Sequence, residues 1–335
     1  MKNLGVICKI FIMLMLGFGI VNAVDSGDLA VDSRAVDSGD LGDFSDLQRE
    51  SNAIHKSTKS TAKLNDSNAP LSFYRRNGFL GRIGISADYL YHKADSELSG
   101  VVMSLNGALG WNWRDYAKLE VGAILGAGPM DIKGAYPIGA EQIGTQPLSN
   151  FNFNGGIALN FGFELKGGYN ISSAFKAWDN ALYINGGIEL AILSHWATYV
   201  PYSTVMGFVD LFVEVEGRSA LSQKWAIDYF VRGFGGASVV TIGGEDLQTS
   251  ANDMLSSARL WGLKVGFGGS YKIGDRAFVF VRLVSAYYNS GAGQSKRISI
   301  KPNATLNGVN AGAEANFKYP KSHSIYGGVQ FGVGI

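Results

Sequence analysis

The sequence predicts an all-β fold, an antiparallel up-and-down β-barrel whose strands cross a membrane. Three observations predict it. Apolar residues recur at every second position, again and again, from Phe79 to Ile335, which is the period of a strand with one apolar face. The alternating runs reach about ten to thirteen residues, where strands of soluble proteins peak near ~5–6 and a tilted membrane-crossing strand needs ~9–11. The apolar rows carry no charge while the opposite rows are charged. That is the division lipid demands, since a Lys or Arg on a lipid face costs ~2–4 kcal/mol at mid-bilayer.

The front of the chain is of another kind. In residues 1–23, Lys2 and Lys9 precede the apolar run Ile10 to Val21 and the small-residue site Val21-Asn22-Ala23, the pattern of a secretory signal peptide cleaved after Ala23. The single cysteine, Cys8, lies inside it, so the mature chain is expected to hold no disulfide and no thiolate site. In residues 24–70, VDSGDL occurs at Val24–Leu29 and again at Val36–Leu41, with VDSRA between. So polar and acidic a repeat cannot bury enough apolar surface to offset its ordering entropy. It predicts a flexible, disordered low-complexity segment, with a plug in the barrel mouth as the alternative. Residues 71–335 are the barrel. The body of the chain has no run of eighteen apolar residues and so no transmembrane helix, and a formal net charge of +1 gives no basic footprint for nucleic acid.

The strands follow in order. Ile83, Ile85, Ala87, Tyr89 and Tyr91 form one outward row; Val101 to Trp113 the next; then Leu119–Leu125, Ile157–Leu165, Leu182–Ile192, Val209–Val215, Trp225–Val231, Trp261–Tyr271, Val279–Leu283 and Val309–Phe317. The last is Ser322 to Ile335, SHSIYGGVQFGVGI. Short connections (Arg114–Tyr116, Arg218–Gln223, Ile273–Asp275, Pro320–Ser322) alternate with long ones (Ala127–Asn150, His195–Thr204, Ala237–Ser257, Ser290–Ala304), as they do between the two rims of a barrel. These runs number about eleven. A single-chain barrel takes an even number, and we expect about twelve, with ten as the alternative; Gly128–Asn150 and Gly167–Asn180 are the ambiguous segments. All six tryptophans (Trp111, Trp113, Trp178, Trp196, Trp225, Trp261) fall at strand ends or beside loops, where interfacial girdles lie.

The terminal strand, with Val329, Phe331, Val333 and Ile335 on one face, resembles the C-terminal assembly-signal strand of Gram-negative outer-membrane proteins, with Ile335 where an aromatic is usual. The start NGFLGRIGISADYLY and the Gly-rich strands resemble the outer-membrane proteins of the Helicobacter type. The likeness covers about four-fifths of the chain and is one of pattern. It implies residence in the outer membrane of a Gram-negative bacterium. It also implies contact with outer-membrane lipid and lipopolysaccharide, and passage through periplasmic chaperones and the barrel-assembly machinery.

Chemistry is sparse. The four histidines (His55, His92, His195, His323) make no metal-ligand pair, and no cofactor is expected. Ser194-His195 and His323-Ser324 are adjacent on strands, so their side chains point to opposite faces and neither is a dyad by itself; no enzymatic activity is expected, a lipid-modifying enzyme being the weakest reading. The inward rows are the one constellation: Asp88, Glu120, Glu164, Glu189, Asp210, Glu214, Glu216, Asp228, Arg232, Lys264, Arg282 and Glu314. Carboxylates outnumber cations there. The reading is either a satisfied polar lumen, with Arg232, Lys264 and Arg282 bridging carboxylates, or a small cation-preferring, porin-like channel for ions or solutes. The alternative is an adhesin acting through its long loops. A turn centred near Ser222 places Arg232 opposite Phe212 and diagonal to Asp210 and Glu214.

Overall fold

In the computed structural model the described residues are 78–94, 96–114, 116–134, 140–143, 152–174, 180–197, 202–244, 247–248, 256–274, 276–300, 314–318 and 320–335. The signal segment 1–23, the repeat segment 24–70, residues 71–77 and the Trp178 site lie outside them.

Ten long strands form one closed sheet in which each strand pairs with its neighbours in sequence. They are β1 (Gly78–Lys93), β2 (Ser96–Trp113), β3 (Ala117–Gly134), β4 (Asn152–Asn170), β5 (Asn180–Ala197), β6 (Tyr202–Ala220), β7 (Trp225–Gly244), β8 (Ser256–Lys272), β9 (Phe278–Ser290) and β10 (Ser322–Gly334). β10 closes the barrel on β1, with Ile83 opposite Val333 and Ile85 opposite Phe331. Gly81 and Ile335 exchange both backbone hydrogen bonds at the seam, 3.2 and 2.8 Å.

Ten strands, not twelve, make the wall. Gly128–Gly134 continues β3, and Gly167–Asn170 continues β4 into a short 3₁₀ turn at Ile171–Ala174. Neither ambiguous segment adds a strand to the barrel. Of the run read as Val309–Phe317, residues 309–313 lie outside the described residues, and the rest is not in the barrel. Glu314–Lys318 pairs with Ser295–Ile300, within a separate four-stranded sheet completed by Ala140–Ile143 and Leu247–Gln248. Five residues fall well short of the ~9–11 that cross a bilayer.

Register fixes the barrel's width. From Leu80, successive cross-strand partners are Gly110, Glu120, Lys166, Gly187, Phe212, Phe234, Gly262, Tyr288, Ser324 and then His92. One circuit therefore climbs β1 by twelve residues, from 80 to 92. Ten strands at that stagger tilt by about 40° on a backbone radius of about 10 Å. Such a radius leaves a lumen that long side chains can span from opposite walls.

The outer wall is apolar over a band of defined height. Aromatic residues ring the end that carries the short turns and the seam: Trp111, Trp113, Tyr116, Tyr169 and Trp225 are all exposed, and Trp225 packs on Tyr271. Towards the long connections a second ring includes Tyr89 and Trp261, both exposed, with Trp261 edge-on to Tyr287. On β8 the rings are marked by Tyr271 and Trp261, ten residues apart. At a 3.3 Å rise and this tilt the separation is about 25 Å, the height of a lipid-facing band. Between them the outward side chains are uncharged and mostly aliphatic or Phe, up to 69% exposed at Leu211, with Tyr229 and Ser285 among them. Outward charges sit beyond the second ring: Lys93, Arg259, Asp131 and Lys133 are all exposed. Lys93 pairs with Glu97 at 2.7 Å; their hydrogen bond raises the pKa of the lysine and lowers that of the glutamate.

Inside, glycine and phenylalanine are matched across strands. Phe212 lies opposite Gly187, Phe230 opposite Gly266, Phe234 opposite Gly262, Phe278 opposite Gly334 and Phe280 opposite Gly332. A Cβ on Gly266 would sit 2.1 Å from the Phe230 ring, so the ring lies flat over bare backbone. That pairing lets bulky rings fill a narrow tube, and it gives the glycine-rich strands a physical reason.

Candidate functional site

The lumen has three levels. Nearest the seam end, Arg218 pairs with Asp228, Lys118 with Glu216, and Arg82 with Glu120 at 2.6 Å. Lys118 also stands 4.7 Å from the centroid of Tyr183.

The middle level is a connected network. Arg232 Nη1 donates to Glu164 at 2.6 Å and Glu189 at 2.7 Å, and its Nη2 and Nε reach Glu214 at 2.6 and 2.8 Å. Its guanidinium lies 3.8 Å from the centre of the Phe212 ring. Lys166 Nζ reaches Glu214 at 3.0 Å, Glu216 at 3.1 Å and Glu120 at 3.4 Å. Asn185 Nδ2 donates to Glu214 at 2.9 Å and Glu216 at 3.0 Å. Lys264 meets Glu189 at 3.5 Å. These residues come from six consecutive strands, β3 to β8. Each sits on the inward parity of its strand, so pairing the strands brings the whole set to one height. A forked guanidinium serves three carboxylates because its donors lie in one plane and point apart. In a poorly hydrated tube such charges are tolerable only when paired and hydrogen-bonded.

The third level, towards the long connections, mixes apolar side chains with hydrogen-bonded polar ones, Ser238 and Ser290 meeting at 2.5 Å. Leu98 is 1% exposed, Met130 2%, Ile132 and Met206 0%. Just below, Phe208 and Phe234 pack on Tyr288 with centroids 5.8 and 4.8 Å away.

The sequence-predicted residues distribute unevenly over these levels. Glu214, Glu216, Arg232 and Lys264 join the network, and Asp228 is held by Arg218. Asp210 is inward and 3% exposed but stands outside the network, with Oδ1 making no hydrogen bond. Arg282 bridges no carboxylates; among the described residues it makes no ion pair, and its guanidinium lies 5.7 and 5.9 Å from the Phe230 and Phe280 rings. Glu314 is not on a barrel strand: it is the first residue of the Glu314–Lys318 strand of the separate sheet. Arg232 faces Glu214, not Phe212, which faces Phe234. The reason is the turn. Ser222 Oγ accepts from the amides of Lys224 and Trp225, holding a four-residue connection Leu221–Lys224 and shifting the register by two.

Sequence reading missed Arg82, Lys118, Lys166, Arg218 and Asn185. The signal was present: Arg82 shares the parity of Asp88 on β1, Lys118 that of Glu120, Lys166 that of Glu164, and Arg218 that of Glu216. With these cations counted, the lumen is close to neutral rather than acidic.

Val329, Phe331, Val333 and Ile335 face outward, the last three about half exposed. Val329 lies between Ala87 of β1 and Leu283 of β9. Ser324 and His323 point to opposite sides as adjacency requires. Ser324 Oγ instead meets His92 Nδ1 at 2.7 Å, inside the barrel. The side chains of His195 and Trp196 lie outside the described set. Among the described residues no helix is long and apolar enough to cross a membrane, which says nothing of a barrel, and no metal-ligand cluster forms.

The class is thus a closed antiparallel barrel with an apolar outer band and a side-chain-filled lumen. No family model matches the chain, and no curated protein does. Among solved structures it is similar to the outer membrane protein OprG of Pseudomonas aeruginosa (14% identity over 78% of this chain and 98% of that one, TM-score 0.28). It is similar as well to the Pseudomonas putida toluene transporter TodX (8%, 79% and 92%, TM-score 0.28) and to the β-domain of the Bordetella autotransporter BrkA (12%, 75% and 98%, TM-score 0.31). Likenesses this loose leave the function to be read from the chain itself.

Proposed function

We propose that this chain is an integral outer-membrane β-barrel of a Gram-negative bacterium, exported on residues 1–23, and that it is a structural anchor rather than an open pore. The observation that carries the reading is the network centred on Arg232. It ties β4, β5, β6 and β7 across the lumen, and beyond it the tube is filled by buried Leu, Met and Ile. The acidic surface that a cation-preferring pore would need is neutralised by Arg82, Lys118 and Lys166. The anchor holds its long connections, with their four-stranded sheet, on the cell surface, where they serve interaction; it assigns no catalytic role. Lipid and lipopolysaccharide contact the apolar band, and the seam strand is read by the assembly machinery.

The test is insertion of refolded protein into planar bilayers. The expected result is heat-modifiable, inserted protein with no sustained current steps at moderate voltage in high salt. Steady unitary conductance would refute the closed-lumen reading. Recovery of the protein with the inner-membrane or soluble fraction would refute its location.

A further inference from the structure

A cavity of about 130 Å³ opens in the lumen between the network and the wall made by β9, β10, β1 and β2. That wall presents donors. Arg282 and Gln330 face each other across β9 and β10. Asn106 lies on the next pair round, opposite Gly84, which in turn faces Gly332. The carboxylates that might have satisfied them are taken: Asp228 by Arg218, and Glu120 by Arg82. Arg282 makes no ion pair among the described residues, and Asn106 Nδ2 is buried without a hydrogen-bond partner. Arg282 is half-buried, and a buried donor without an acceptor, as at Asn106, is rare enough in folded proteins to call for an explanation. The rest of the lining is apolar at Phe230, Phe280 and Val284. Arg82 and Arg218 keep 28% and 23% of their side chains exposed, so solvent reaches this side from the seam end.

We propose that this cavity binds a small organic carboxylate carried on a compact apolar body. A planar carboxylate matches the fork of Arg282 and accepts from Asn106 as well. The apolar body fits against the two phenyl rings, and the volume is close to the ~150 Å³ that holds a benzene ring. Inorganic phosphate lacks the apolar body and gains nothing from the two rings, while Glu164 and Glu189 on the far side of the cavity are already paired with Arg232 and Lys264. The inference needs only the closed barrel and does not depend on the membrane in which the barrel resides.

The experiment is calorimetric titration of the full-length refolded protein in detergent, with benzoate as the probe and benzyl alcohol and inorganic phosphate as comparisons. Saturable binding of benzoate at one site per chain is expected, with a raised unfolding temperature. Arg282→Gln should weaken it about tenfold or more, as loss of a charge-assisted pair does. Arg282→Lys, which keeps charge without the fork, should lie between. Equal binding of benzyl alcohol or phosphate, no saturable binding, or benzoate binding unchanged in Arg282→Gln would overturn the proposal. If Arg282→Gln fails to show heat-modifiable migration, Asn106→Ala decides: unchanged benzoate affinity overturns it and a several-fold loss supports it.

Discussion

The barrel is two proteins in cross-section. Within the band bounded by the aromatic rings, apolar side chains face out and charges face in; Val213 is 64% exposed while Glu214 beside it is 2% exposed on its side chain. Beyond the second ring β3 inverts, and other strands lose the strict division. Lys93, Asp131 and Lys133 face out, while Met130, Ile132 and Met206 are buried inside. The strands run on across the boundary, with a register shift between Met130 and Ile132 where β3 pairs with β4; what differs is the solvent suited to the outer wall. Hydrocarbon tolerates no charge, so the polar residues of the band must find partners within the lumen. Where water surrounds the wall, apolar burial inside is again favourable. In the proposed membrane placement the inversion on β3 marks where the bilayer ends.

The largest effect should come from the seam both zones share. Removing residues 332–335 deletes the pairing of β10 with Gly81 to Gly84 and leaves edge amides with no water to bind. We expect no inserted, heat-modifiable species in the membrane fraction. Migration like the intact chain would show that the seam is dispensable.

Next is Arg232→Ala, which strands Glu164, Glu189 and Glu214 without their shared cation. Breaking a buried ionic cluster by removing one partner costs ~3–5 kcal/mol. The loss should appear in urea unfolding in lipid vesicles followed by tryptophan fluorescence, together with new cation-selective current through a lumen left acidic. Stability within error of the parent would mean that the network is not structural.

Val213→Arg probes the outer face of the band and should cost ~2–4 kcal/mol in the same assay. Its counterpart beyond the ring, Asp131→Arg, should change stability by no more than ~0.5 kcal/mol, as exposed surface changes usually do. Equal penalties for the two would erase the distinction between the zones.

Much of this was legible in the residues alone, and for a physical reason. Side chains alternate across a strand with a period of two, so each strand's lipid face, its inward charges and its girdle aromatics follow from local order. Val329, Phe331, Val333 and Ile335 were placed on the outer face by that argument alone. The pairing between strands has no such local signature. Connections reset the parity, so Glu189 faces inward from an odd position while Glu164 and Glu214 do so from even ones. A two-residue shift in the turn at Ser222 decided that Arg232 meets Glu214. Whether an alternating run enters the wall depends on the partner it finds, and Glu314–Lys318 found Ser295–Ile300. The sequence by itself determined that there is a barrel and which face of each strand is apolar, and it held the parity of the inward charges even where Arg82, Lys118, Lys166 and Arg218 went unread. Only closure of the ten strands decided their stagger, and with it which hidden charges share a height. Ion pairs form over a few ångströms between residues tens of positions apart, and nothing local in the chain records that distance.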